Sequence, residues 1–420
     1  MSAGQADAAS QAAPAAGAVS LAHGLLAGLD EIAEVGRDAA RGGYSRHLWQ
    51  GADLELREWF TARATSLGLD VETDRNGNLW AWWGLPGTDA VVTGSHLDSV
   101  PGGGAYDGPL GVVSALDAVA RLKTTGFVPT RPFAVLVFAE EEGSRFGVAC
   151  LGSRLISGAI DADAARALTD RDGVTLAEAS VRAGLDPARL GADPAALSRV
   201  GLFIELHVEQ GRGLIDLGSP VAVASSILAH GRWRLSFSGQ GNHAGATTMG
   251  ARRDPMVAAA RAIVAVQDAA VAQPGSRATV GRFEVIPGGT NVIASTVHAW
   301  LDARAETDAE TRALVAEITA RTAAEAAHNG CSATVTEESW APRVAFDPAL
   351  RERFALALGD VPRLSSGAGH DAGVLASRVP SAMLFVRNPT GISHAPEEFA
   401  EPGDCVAGVE ALEQLLRNVL

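Results

Sequence analysis

Three consecutive segments constrain this chain most. "AVVTGSH" (90–96) is a short apolar run ending in a histidine. "LGVVSALDAVARLKTTG" (110–126) has helical spacing and stops at a glycine. "FAVLVFAEEEG" (133–143) is a continuous apolar run that meets three glutamates. Strand–helix–strand order at this spacing predicts parallel strands in an α/β sheet. Ligands of such sheets gather beyond the carboxyl ends of the strands. His96 and the glutamates fall there.

The flanking chain extends this pattern. "LELREWFTARATSL" (54–67) reads as a helix, and "VETDRNGNLWAWWG" as a hairpin around Asn76-Gly77. The middle differs: "RWRLSFSGQGNHAG", "RRDPMVAAARAIVAVQDAAVA", "ATVGRFEVIPGGTNVIASTVHAWLDARA" and "AETRALVAEITARTAAEAAHNG" read as strand, helix, two strands, helix. That order makes a compact α+β, ferredoxin-like unit. The expected fold is therefore α/β: a catalytic domain (21–214 and 333–420) with a mostly parallel central sheet flanked by helices, and an inserted α+β lid or dimerisation domain (215–332). Residues 1–20, rich in Ala, Ser and Gln, read as a disordered lead-in without the basic start of a signal peptide.

Composition removes several classes. A net charge of −15 argues against nucleic-acid binding. No uninterrupted run of 18 apolar residues appears, so no membrane span is expected. The three cysteines are odd in number and far apart, which fits no disulfide framework and suits a reducing cytoplasm. Lys123 is the one lysine and lies in no phosphate loop, and no GxSxG is present.

Of the ten histidines, His23, His47, His298 and His328 lack acidic partners at useful spacing, as structural or surface histidines do; His230 stays open. Others stand at strand ends. His96 is followed by Asp98, a carboxylate placed to fix its second ring nitrogen. Asp107 sits in the Gly-rich run "PGGGAYDG". Glu141 and Glu142 are adjacent at a strand end and so face opposite ways: one can bind a metal while the other acts as a base. His207 in "FIELHVEQG" and His394 in "GISHAPEEF" end two further strand-like runs. Imidazoles and carboxylates together suit a pair of divalent ions.

The segments "GSHLDSVPGGGAYDGPLGV", "EEEGSRFG", "ELHVEQG", "NHAGATTM", "SGAGHDAG" and "GISHAPEE" resemble, in order, the amidohydrolase/carbamoylase branch of the aminoacylase–carboxypeptidase-like metallopeptidase superfamily. That branch includes allantoate amidohydrolase, N-carbamoyl-L-amino-acid hydrolase and β-ureidopropionase. The resemblance implies two divalent ions, Zn2+ or Mn2+ with Co2+ or Ni2+ as further options. One would be held by His96, Asp107 and His207, the other by Asp107, Glu142 and His394, with Asp107 bridging. It implies Glu141 as general base, and a cis peptide at Asp107–Gly108. It implies a homodimer in which His243 reaches across to stabilise the oxyanion, with Gln210, Asn291 and Arg304 contacting the substrate. Arg304 is suited to a carboxylate. The implied substrate is a small carboxylate-bearing ureido or amide compound, with no nucleic acid or membrane as partner. N-formyl or N-formimino amino acids, and peptide or N-acyl substrates of the wider superfamily, are the alternatives. His370 matches a motif without an assigned role. Arg387 fits either a substrate contact or an internal ion pair, and Asn388 lies beside it.

Overall fold

The computed structural model describes residues 24–420. His23 and the proposed lead-in over 1–20 lie outside the described residues. The chain forms two compact units. One comprises the chain up to Ala224, Asp347–Leu364 and His370–Leu420; the other comprises Ser225–Phe346 and Ser365–Gly369.

In the first unit the strands run in the order Asp70–Thr73, Leu79–Trp83, Phe133–Phe138, Ala90–His96, Val200–Val208, Ser381–Val386 and the start of Val221–Ile227, up to Ala224. The central four are mutually parallel; the remaining pairings are antiparallel. Three of these four are buried along their whole length, as expected for parallel strands covered on both faces, and this explains their unbroken apolar character. The helix Pro109–Thr124 packs on the strands ending in His96 and Val208, and the C-terminal helix Pro402–Val419 packs against it. The edge hairpin pairs Thr73 with Leu79. Asp74 closes its turn, accepting the amides of Asn76 and Asn78 at 2.9 and 3.0 Å.

The second unit carries a four-stranded antiparallel sheet in the order Ser332–Ala341, Ala229–Ser238, Thr296–Ala305, Arg277–Ile286. Burial alternates strictly along Thr296–Ala305, the pattern of a sheet with one covered face. The helices Pro255–Ala272 and Asp308–His328 join its core through Ala258, Ala262, Val266, Leu314 and Ile318. The second helix starts on a capping box, Thr307 with Glu310. Helix Pro255–Ala272 meets the length and apolarity of a membrane span by composition alone, a feature the sequence reading did not single out.

The insert boundaries need correction. The strand Ser332–Ala341 pairs with Ala229–Ser238 along its length, with one register shift between Glu337 and Ser339, so the second unit runs on past 332, to Phe346. Its start lies at Ser225 rather than 215, because Val221–Val223 still pair with Leu384–Val386.

Candidate metal centre

Register brings the site together. Thr93 is paired with Ile204, so three residues further on His96 and His207 stand level at the ends of neighbouring strands. Their rings stack with centroids 5.8 Å apart. Each Nδ1 faces a main-chain carbonyl: His96 that of Asp98 at 3.0 Å, His207 that of Val208 at 2.8 Å. A proton on each Nδ1 satisfies these carbonyls and turns both Nε2 lone pairs inward.

Asp107 lies between them. Its Oδ1 is 3.2 Å from His207 Nε2 and 3.5 Å from His96 Nε2; its Oδ2 is 3.5 Å from His394 Nε2. His394 Nε2 is also 3.4 Å from Glu142 Oε2. The ligand atoms of His96, Asp107 and His207 lie within 4.8 Å of one another, and so do those of Asp107, Glu142 and His394. A third group, Glu205, His207 and His370, meets the same criterion. Among the described residues the buried His96 Nε2 has no hydrogen-bond partner, which suits a metal ligand. Without a cation, burial alone would lower both histidines. The surrounding carboxylates override it, Glu141 and Asp107 chiefly for His96 and Asp107 for His207, whose pKa rises to about 9. Such a carboxylate surplus is what a divalent cation would neutralise.

Two expectations are corrected. The Asp98 carboxylate does not grip His96: its Oδ1 is 3.6 Å from Nδ1. It instead accepts the amides of Glu141 and Glu142 at 3.1 and 3.0 Å, fixing the loop that presents both glutamates. The Asp107–Gly108 peptide is not cis; the cis bond among the described residues is Ile286–Pro287. Gly108, at φ 83°, makes the sharp turn, and a Cβ there would sit 2.4 Å from His96 Cε1. Close approach to the imidazole therefore requires glycine.

Glu141 is buried, and burial pushes its carboxyl up to about 7. Its Oε2 is 3.7 Å from His96 Nε2, and its Oε1 accepts the Cys150 thiol at 3.1 Å. Glu140, the first of the three glutamates, has another task. Its Oε1 accepts the amides of Arg145 and Phe146, both at 2.7 Å, bracing the loop. Nothing local in the sequence marks Cys150 or Glu140 for these roles. His47, grouped above with the structural histidines, bonds Ser144 of this loop through Nδ1 at 2.9 Å.

Gln210 donates from Nε2 to Asp107 Oδ2 at 2.7 Å, so it lies beside the cluster. His370 is buried with its ring edge-on to His207 at 4.6 Å, and burial holds it well below the ordinary histidine range. The open residues resolve. Arg387 pairs with Asp404 through Nε and Nη2 at 2.8 and 2.9 Å, an internal ion pair. Asn388, fully buried, accepts from Thr390 and Gly391 and donates to the Ile392 carbonyl at 2.7 Å. It therefore shapes the loop leading to His394.

The remaining candidates belong to the second unit. His243 Nδ1 accepts the amides of Gly245 and Ala246 at 3.1 and 3.2 Å. With Nδ1 accepting, Nε2 is left as the exposed donor of the ring. The Asn291 carbonyl accepts the Ala244 amide at 2.9 Å. Arg304 bonds Asp302 through Nε and Nη2 at 2.7 and 3.0 Å, and the Gly367 carbonyl through Nη1. Among the described residues, these bonds use three of its five N–H donors.

A mostly parallel α/β sheet whose strand ends converge two histidine–carboxylate groups on one aspartate has the donor set of a hydrolytic metal centre. Comparison with known proteins specifies this further. Residues 92–418 match the Peptidase family M20/M25/M40, and the chain belongs to that family. It is 37% identical to an N-carbamoyl-L-amino acid amidohydrolase of Geobacillus stearothermophilus over 91% of this chain and 95% of that one. It is 32% identical to an allantoate amidohydrolase of Bacillus subtilis over 90% and 93%. Among solved structures, an amidase of the hydantoinase/carbamoylase family from Burkholderia multivorans matches with a TM-score of 0.85 at 31% identity, covering 95% of this chain and 97% of that one.

Proposed function

We propose that this chain is an amidohydrolase that cleaves a linear C–N bond, not a peptide bond, in a small ureido acid. N-carbamoyl-L-amino acids are the first candidate, in line with the 37% relative, and allantoate the second. The observation that carries the reading is the divided allegiance of Asp107, with Oδ1 toward His96 and His207 and Oδ2 toward His394. This suits two cations, one per group, sharing Asp107. The carboxylate-rich donor set accommodates Zn2+ or Mn2+, and also Co2+ or Ni2+.

Bound there, the cations would polarise the ureido carbonyl and acidify water. The protein's own groups do the rest. Glu141 takes the proton of the attacking water on Oε2, the oxygen Cys150 leaves free, and passes it to the departing nitrogen. His243 donates from Nε2 to the developing oxyanion. Arg304 turns its two remaining N–H groups to the substrate carboxylate, while Gln210 and Asn291 contact the ureido group. In this reading His243 comes from a second copy of the chain. The helix Pro255–Ala272 supports a homodimer: Val257, Val264 and Val271, seven residues apart, are 43%, 58% and 77% exposed, an apolar stripe a partner would cover.

The test is a substrate panel after loading with each metal: N-carbamoyl-L-amino acids, allantoate, N-formyl and N-formimino acids, and a dipeptide. Hydrolysis confined to the ureido acids is expected, read as free α-amino groups released from the N-substituted amino acids and the dipeptide, and as ammonia released from allantoate. Preferential dipeptide cleavage would assign the chain to the peptidases instead.

A further inference from the structure

Glu398, four residues beyond His394 in "HAPEEF", has no part in the chemistry above, yet it is 4% exposed beside the site. Its Oε1 accepts the main-chain amides of Tyr106 and Asp107 at 3.0 and 2.9 Å, from 291 and more residues away in the chain. Among the described residues its buried Oε2 has no hydrogen-bond partner. Burying a carboxylate with one oxygen unsatisfied is unfavourable, and packing alone offers no return for it. The surroundings press the group into this position. A Cβ on Gly104 would fall 2.3 Å from Oε1, and Phe399 meets the Tyr106 ring edge-on at 6.1 Å.

We propose that Glu398 is a positioning residue: by holding the Tyr106 and Asp107 amides it sets the Asp107 carboxylate between its two groups of ligands. One carboxylate thereby ties the loop of the shared ligand to the segment that carries His394, so the two halves of the centre keep their spacing. The inference rests on the metal-centre reading. Partners behind a metal ligand act by fixing its orientation, and their loss typically weakens metal binding about 10- to 100-fold.

The experiment titrates Co2+ into the metal-stripped full chain, reading the visible absorption spectrum and the dissociation constant by chelator competition. Glu398→Ala should bind Co2+ about 10- to 100-fold more weakly with an altered spectrum. Glu398→Gln keeps an acceptor oxygen for both amides and should stay within about threefold of the unsubstituted chain. Gly104→Ala should resemble Glu398→Ala by displacing the carboxylate without removing it. If Glu398→Ala fails to fold, the contrast between Gly104→Ala and Glu398→Gln decides. Asp107→Ala separates the two claims. Unaltered Co2+ binding in Asp107→Ala would end the metal-centre reading. Loss there, with binding in the Glu398→Ala and Gly104→Ala chains equal to the unsubstituted protein, would overturn the role of Glu398 alone.

Discussion

Asp107 Oδ1 lies 3.2 Å from His207 Nε2, while its Oδ2 is turned to the other side of the centre, where Gln210 and His394 stand. A carboxylate that served one cation alone would not need its second oxygen presented to a second histidine–glutamate group. The consequences can be measured residue by residue.

Glu141 is the proposed general base. Glu141→Gln should retain its metal, since neither proposed ligand group includes Glu141, and should lose about 10²- to 10⁴-fold in kcat. Metal analysis and steady-state kinetics on the same preparation check both halves. Undiminished kcat would remove Glu141 from the mechanism.

His243 is expected to act on a neighbouring copy. Mixing His243→Ala with His207→Ala, each inactive alone, should restore about a quarter of the specific activity. Half of randomly assorted dimers are then mixed, and each has one complete site of two. Mixed dimers without activity would mean that the donor acts within its own subunit.

Arg304 shares its fork with Asp302. Arg304→Ala should raise KM about 10- to 100-fold for carboxylate-bearing substrates, the range for a charge-assisted hydrogen-bonded contact. Asp302→Asn should leave Arg304 in place and lower KM. Unchanged KM in Arg304→Ala would take the residue out of the substrate pocket.

Arg387 is expected to matter for stability and not for the substrate. Removing it leaves the largely buried Asp404 without its partner. Arg387→Ala should therefore cost about 1–3 kcal/mol in a denaturant titration while KM stays constant. A raised KM in folded protein would restore it as a substrate contact.

Much of this architecture was readable from local pattern. Apolar runs that end abruptly in His96, the glutamates and His207 mark buried parallel strands, because such strands lack the alternation that would hide their ends. The helix–strand order of the insert was equally plain. What stayed hidden depends on contacts distant in sequence. Ser332–Ala341 belongs to the insert because it pairs with a strand about a hundred residues earlier, and no local signal announces a pairing partner. Asp98 sits two residues from His96, yet its carboxylate is drawn to two amides of the glutamate loop. Hydrogen-bond geometry, more than sequence proximity, decides what it holds. Glu398 meets the site only once the chain has folded back on it from 291 residues away; Cys150 reaches Glu141 from nine residues on, through a turn that no residue pattern announces.

The central claim is that Asp107 is shared by two cations. Elemental analysis of the metal-loaded chain, in the unsubstituted protein and in His394→Ala and Asp107→Ala, tests it most directly. Two metals per chain are expected in the first, one in His394→Ala, and fewer than one in Asp107→Ala. Two metals retained by Asp107→Ala, or a single metal in the unsubstituted chain at saturation, would contradict the account.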